Sequence, residues 1–195
     1  MSDKRALRKE AKIERAAIPA AVRLEKSAAV LAALSELPAF QKAAHIFCFV
    51  SFRAEVETKP IIEHLWRHGK QVYIPYIHES HTVMRASQLR SFDELEIGYY
   101  GVMEQKHEFV TLTPADTIDL ILTPGLLFDR DGYRIGYGGG YYDGFFASLN
   151  HPVVKIGICF EEQIRAQLPH DEHDVPVDLI VTDERVYRPG YSGRA

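Results

Sequence analysis

The sequence predicts one three-layer α/β domain over residues 1–195, with a mostly parallel sheet and helices on both faces. Two observations carry this. Short apolar runs of strand length recur at residues 45–52, 119–124 and 153–159. Amphipathic segments of helical period stand before and between them, so strands alternate with helices as in a sheet built by crossovers. The 195 residues are long enough for a real core, and 46% apolar composition is ordinary for a globular protein. No internal repeat, low-complexity tract or interdomain linker interrupts the chain.

Taken in order, Ser2 or Asp3 can cap a first helix that runs to about Ala17. Lys4, Arg8, Lys12 and Arg15 fall at i, i+4, i+8 and i+11, on one face of it. Such a stripe is either a solvated surface or a cationic wall for a polyphosphate. Pro19 starts a second helix with Leu24, Ala28, Leu31 and Leu34 as its apolar face, and Pro38 ends it. Residues 45–52, HIFCFVSF, suit a strand covered on both sides. Glu55 then sits in a loop between that strand and a helix capped by Thr58 with Pro60 in its first turn. Ligands of open α/β sheets lie at this edge.

Gly69 closes the helix, and residues 71–75 and 82–86 make the next strands. Residues 91–109 are irregular, with Gly98-Tyr99-Tyr100-Gly101 a loop that lines a pocket or packs on the surface. Residues 119–123 form a buried strand, followed by a turn-rich link over 124–133. Residues 153–159 are a strand, 161–167 a short helix, and 178–182 the last core strand, with 185–187 extending it or turning back. The tail after Arg188 is expected to fray.

The most distinctive stretch is Arg134-Ile135-Gly136-Tyr137-Gly138-Gly139-Gly140-Tyr141-Tyr142-Asp143, which leads into a helix carrying Phe145, Phe146 and Leu149. Four glycines in five residues leave bare N–H groups at a helix mouth, a place that suits an anion. Arg134 can add a forked cation, and Asp143 a hard oxygen ligand of the kind Mg²⁺ accepts beside phosphates. A tight turn that needs glycine only for its backbone angles is the plainer alternative. A Walker loop is excluded because Tyr141-Tyr142 follows Gly140. The dinucleotide pattern fails because its third glycine would fall at Tyr141 or Asp143.

The formal charge of −4 argues against a general nucleic-acid or anionic-membrane binder. No apolar run reaches the ~18 residues of a spanning helix, and the basic N-terminus lacks a signal-peptide core. A cytoplasmic protein is expected. Cys48 and Cys159 read as reduced core thiols. The segment His170-Asp171-Glu172-His173-Asp174 could hold a transition metal, though solvated loop residues are the commoner case. Alternatively one carboxylate here joins Asp143 at a magnesium–nucleotide, with position alone leaving Asp171, Asp174 and Asp178 open.

Residues 119–143, DLILTPGLLFDRDGYRIGYGGGYYD, carry a strand, a Pro-Gly link, a Phe-Asp turn and an Arg-x-Gly-x-Gly-x-Gly-Tyr-Tyr-Asp loop. With Lys4-Arg5-Ala6-Leu7-Arg8, Glu55-Val56-Glu57-Thr58 and Asp174-Val175-Pro176-Val177-Asp178, they resemble the 5-formyltetrahydrofolate cyclo-ligase (methenyltetrahydrofolate synthetase) family. The matches lie in the family's order over nearly the whole chain. Glu104 is followed by Gln105, where the family often has Glu-Pro. Some members carry a basic residue at the place of Tyr137 or Gly139, which leaves more of the phosphate binding to Arg134 and the first helix.

The resemblance implies an ATP- and Mg²⁺-dependent enzyme that cyclises 5-formyltetrahydrofolate, acting as a monomer with no nucleic acid or membrane partner. Lys4, Arg5, Ala6, Leu7 and Arg8 would touch ATP. Arg134, Ile135, Gly136, Tyr137, Gly138, Gly139, Gly140, Tyr141 and Tyr142 would wrap its phosphates. Tyr137 to Tyr141 would also face the folate, together with Val50 and Glu55. Asp143 and Asp174 would hold Mg²⁺, with Arg134 and Asp143 central to catalysis. A non-catalytic nucleotide or folate binder, or another phosphoryl-transfer enzyme on a similar sheet, are the alternatives.

Overall fold

The computed structural model describes residues 4–77, 83–98 and 101–190. Ser2, Asp3, Thr82, Tyr99, Tyr100 and the tail from residue 191 lie outside them. Five helices are present among the described residues: α1 Lys4–Ala17, α2 Ala20–Ser35, α3 Pro38–Lys42, α4 Lys59–Arg67 and α5 Tyr141–Ala147. The strands are β1 His45–Cys48, β2 Gln71–Ile77, β3 Met84–Leu89, β4 Leu95–Ile97, β5 Met103–Gln105, β6 Leu112–Thr113 and β7 Leu120–Thr123. They continue as β8 Leu127–Asp129, β9 Arg134–Ile135, β10 Val154–Ile158, β11 Ile164–Arg165, β12 Leu179–Val181 and β13 Val186–Tyr187.

The main sheet runs β13-β12-β10-β7-β1-β2-β3-β6. Its five middle strands, β12 through β2, are parallel, and antiparallel strands finish both edges. The middle strands are covered on both faces, so their side chains alternate between two apolar cores rather than between core and water. Ile46 and Cys48 join Leu120, Leu122, Ile156 and Ile158 in the core shared with α2, α3 and α4. Phe47 and Ile121 point the other way, to Phe145 and Phe146 of α5. The expected three layers are therefore observed.

Several local expectations need correction. The buried face of α2 is Ser27, Val30 and Leu34, while Leu24 is 59% exposed. The Ser27 hydroxyl is needed inside, where it accepts from Glu57 N at 3.0 Å. Pro38 does not end α2 but opens α3. Thr58 sits at the cap position of α4, yet its hydroxyl accepts from Ser51 N at 2.8 Å instead of capping the helix. The first strand stops at Cys48, and the chain then turns through the loop that carries Glu55.

The expected helix at 161–167 is one 3-10 turn, Glu161–Gln163, followed by β11. Gln163 diverts the chain: its amide donates to Gly125 O and Leu126 O, and its carbonyl accepts from Phe160 N. The link over 124–133 is likewise not all turn. It holds β8, which pairs with β9 and β11 in a small three-stranded sheet. Phe128 docks that sheet on the main one by lying against Gly157 of β10, where any Cβ would fall 2.5 Å from its ring.

Candidate active site

β1 pairs with β2 on one side and β7 on the other. The chain therefore leaves β1 toward one half of the sheet and later fills the other half. Such a switch point opens a crevice beyond the carboxyl ends of the strands. Here the crevice is a cavity of about 800 Å³. Its walls include Val50 and Glu55 after β1, Pro75 and Tyr76 of β2, Pro124 after β7, and the whole stretch from Arg134 to Asp143. Val102 to Gln105 close another side. The irregular segment thus lines the pocket through β5, whereas Tyr99 and Tyr100 lie outside the described residues.

Helix α1 lies across this edge, with Leu7 and Ala11 packed on Leu126, Leu127, Ile135 and Leu168. That anchorage turns Lys4, Arg8 and Lys12 into the cavity, while Arg5, Ala6 and Leu7 do not line it. Arg8 Nε donates to Gly136 O at 3.0 Å, and Lys12 Nζ stands 5.4 Å from the centre of the Tyr137 ring. Arg15, the fourth cation of the stripe, behaves differently. It is 5% exposed and buried behind the cavity wall.

Lys4 Nζ bonds Asp174 Oδ2 at 2.6 Å and Asp171 Oδ2 at 2.7 Å. Burial opposes the charge on Lys4, but the two carboxylates outweigh it and hold its ammonium above the usual lysine value. Asp174 also resists burial, and Lys4 and the Asp171 N–H hold its carboxyl below the usual range. Arg134 is nearly buried; Nη2 donates to Asp143 Oδ1 at 2.9 Å and Nη1 to Val175 O at 2.7 Å. Burial lowers its pKa and the Asp143 charge pulls it back up. Val175 N donates to the same Asp143 oxygen at 3.1 Å. Arg134 therefore braces Asp143 and the segment at Val175 instead of presenting a free fork.

A second polar group surrounds Glu55, which is 6% exposed. The Tyr137 hydroxyl donates to Glu55 Oε1 at 2.8 Å, and Phe52 N donates to Oε2 at 2.9 Å. Burial raises the Glu55 carboxyl, opposed by Arg15, the Phe52 N–H and Tyr137. Burial, then the Glu55 charge, pushes the Tyr137 phenol up to about 12, so it stays a donor at neutral pH.

In the glycine run, Gly138 and Gly140 have φ of 108° and 66°, conformations that glycine adopts freely. At Gly139 a Cβ would come within 2.5 Å of the Tyr141 ring. The run is needed for its turn as well as for its bare N–H groups. Arg8 and Lys12 of α1 add whole charges beside the partial charges of those N–H groups.

A protein-family model described as the 5-formyltetrahydrofolate cyclo-ligase family matches residues 1–183. The chain belongs to the 5-formyltetrahydrofolate cyclo-ligase family. The cyclo-ligase of Escherichia coli K12 is 33% identical over 141 residues, 71% of this chain and 78% of its own. That of Mus musculus is 33% identical over 195 residues, 94% of this chain and 95% of its own. The solved structure of Aquifex aeolicus 5,10-methenyltetrahydrofolate synthetase superposes with a TM-score of 0.84 at 29% identity, covering 98% of this chain and 95% of its own. The protein is an enzyme of this family.

The cavity gathers Asp143, Asp171 and Asp174, and it leaves out Asp178, which accepts from Lys155 instead. No group of three or more metal-binding side chains occurs among the described residues. His170 stacks on Tyr133 at 3.6 Å, and His173 lies 3.4 Å from the exposed Glu172. The residues present do fit magnesium, which binds through one or two carboxylates plus phosphates and waters. In Asp143 and Asp174 the protein bonds described here fall on one oxygen of each carboxylate. Among the described residues, no helix is long and apolar enough to cross a membrane. Sequence reasoning missed the burial of Arg15, because it falls on the same helical face as the cavity-lining Lys4, Arg8 and Lys12.

Proposed function

We propose that this enzyme, assisted by Mg²⁺, converts 5-formyltetrahydrofolate and ATP into 5,10-methenyltetrahydrofolate, ADP and phosphate. The carrying observation is one cavity that unites a cationic helix face, the carboxylates of Asp143 and Asp174, and the buried Glu55. Lys4, paired with Asp171 and Asp174, and Arg15, which reaches Tyr137 and Glu55, are eleven residues apart on α1, a rise of about 16 Å between their backbones. That span suits a triphosphate on one side and a folate on the other.

The formyl group on N5 is an amide, a poor electrophile whose oxygen leaves badly. Transfer of the γ-phosphoryl group to that oxygen releases ADP and turns the oxygen into a leaving group. N10 then attacks the formyl carbon, loses its proton, and phosphate departs. Such transfer needs positioning and charge neutralisation more than a protein nucleophile. Lys4, Arg8 and Lys12 offer cations to the phosphates, and the glycine run allows close backbone approach. Asp143 and Asp174 would hold Mg²⁺, which when bound neutralises phosphate charge. Arg134 keeps Asp143 aimed. Val50 and Tyr141 offer packing surface to the folate, and Glu55 offers a fixed carboxyl to its N–H groups.

The test is direct: purified protein, Mg-ATP and 5-formyltetrahydrofolate are mixed, and the methenyl chromophore and ADP are followed together. One methenyl product per ADP is expected. Folded protein that yields neither sinks the proposal.

A further inference from the structure

Arg15 is the one cation of the α1 stripe that the cavity does not receive. Its guanidinium enters the protein behind the glycine-rich loop. Nη2 donates to the Tyr137 hydroxyl at 2.6 Å, Nη1 donates to Gly125 O at 3.3 Å, and Nη1 stands 3.9 Å from Glu55 Oε1. The Tyr137 hydroxyl passes the contact on, donating to Glu55. One arginine thus spans three segments: α1, the turn after β7, and the loop after β1 by way of Tyr137.

Stability alone is a poor reason for this arrangement. Buried ion pairs seldom outdo apolar packing, because both charges must leave water. Arg15 Nε is buried with no hydrogen-bond partner, a further cost. Nor does α1 need Arg15 in order to dock, since Leu7 and Ala11 pack it on the small sheet and Arg8 ties it to Gly136. What the buried fork does accomplish is to fix the orientation of two groups that face the cavity, Tyr137 and Glu55.

We propose that Arg15 is a positioning residue for the folate half of the site, acting through Tyr137 to hold the Glu55 carboxyl aimed at the substrate. The proposal rests on the cyclo-ligase reading and deepens it. It also divides the basic stripe by task. Lys4, Arg8 and Lys12 serve the phosphates, and Arg15 serves the folate. The groups facing Glu55 are Arg15 from α1, Tyr137 and Tyr142 from the loop and α5, and Glu57 and the Phe52 N–H from its own loop. Only Arg15 among the side chains is cationic. Its removal leaves the Glu55 charge opposed by burial and by Glu57, so Glu55 takes up a proton at higher pH.

The test compares the parent enzyme with Arg15→Gln, Arg15→Lys and Tyr137→Phe. Each is checked for folding by circular dichroism and thermal melting, then assayed for kcat and both KM values across pH. For Arg15→Gln, kcat/KM for 5-formyltetrahydrofolate is expected to fall about tenfold or more, the worth of a charge-assisted hydrogen bond. KM for ATP should stay within about threefold, less than such a bond is worth. The acid limb of the folate kcat/KM profile should move to higher pH, and Arg15→Lys should return it toward the parent. Tyr137→Phe should reproduce the folate defect with Arg15 intact, so the test stands if Arg15→Gln does not fold. Equal damage to both substrates with an unmoved acid limb, or unchanged folate kinetics, overturns the proposal. A parent enzyme without turnover overturns the cyclo-ligase reading instead.

Discussion

The Tyr137 hydroxyl stands 2.8 Å from Glu55 Oε1, joining residues 82 positions apart in the chain. Glu55→Gln keeps the shape of the side chain and removes its charge. Turnover of 5-formyltetrahydrofolate is expected to fall about a hundredfold, the upper range for losing a charged hydrogen-bond partner, while ATP binding measured by calorimetry changes little. Undiminished turnover would remove Glu55 from the folate site.

Asp143→Asn should lower kcat by about a hundredfold or more and raise the magnesium concentration needed for half-maximal rate. Its cost to folding is separate. Asp143 Oδ1 receives both Arg134 and Val175 N, and an arginine left without its anion destabilises a protein by about 3 kcal/mol or more. Asparagine can still accept from Arg134, so Asp143→Asn should melt higher than Asp143→Ala. Equal melting temperatures would count against the brace.

The Lys4–Asp174 contact makes a prediction about pH. The carboxyl of Asp174 is held low, so its stabilisation is present above the unfolded value of about 3.9 and is lost as pH falls through the lower folded value. The Lys4 ammonium is held high, so its share is present below about 10.4 and is lost as pH rises through the folded value. Lys4→Gln should lose less than about 1 kcal/mol at neutral pH, as partly exposed pairs do, and nothing in strong acid. Denaturant melts across pH decide this, and a pH-independent difference would refute the pairing. At neutral pH the same variant should raise KM for ATP.

Gly140 precedes α5 in a left-handed conformation, φ 66°. Gly140→Ala should cost about 1–2 kcal/mol through backbone strain. Gly136→Ala, where a Cβ meets nothing within 4 Å, should cost far less. Thermal melts of the pair provide the measurement.

Cys48 and Cys159 are both buried, and burial raises both thiols well above their ordinary values. Neither should react with a disulfide reagent until the protein unfolds, as two free thiols released together in denaturant would demonstrate. Fast labelling of the folded enzyme would contradict the packing around β1 and β10.

The middle of the sheet was legible because its strands are nearly continuous apolar runs, a signal that burial on both faces imposes. The glycine run and its flanks were legible because few structures demand so many bare backbone positions together. The small sheet was not. β9 and β11 are two residues long, too short to display any period, and β11 exists because the Gln163 side chain reaches back to Gly125 and Leu126. The apolar face of α2 was displaced because Ser27 is buried for its hydroxyl, which hydropathy counts against it. Likewise Arg15 shares its spacing with Lys4, Arg8 and Lys12, and only the packed structure separates them.

Asp129 ends β8 with no exposure to solvent, and its carboxylate accepts from the N–H groups of Asp131, Tyr133 and Leu168. This fastens the approach to Arg134 from both sides before any substrate arrives. Conformational entropy of that approach is thus surrendered when the chain folds, not when ATP binds. Amides around Asp129 should exchange with solvent as slowly as those of the central strands, with or without nucleotide. Selection for tight binding can therefore act on residues 129–133, which need not touch the ligand.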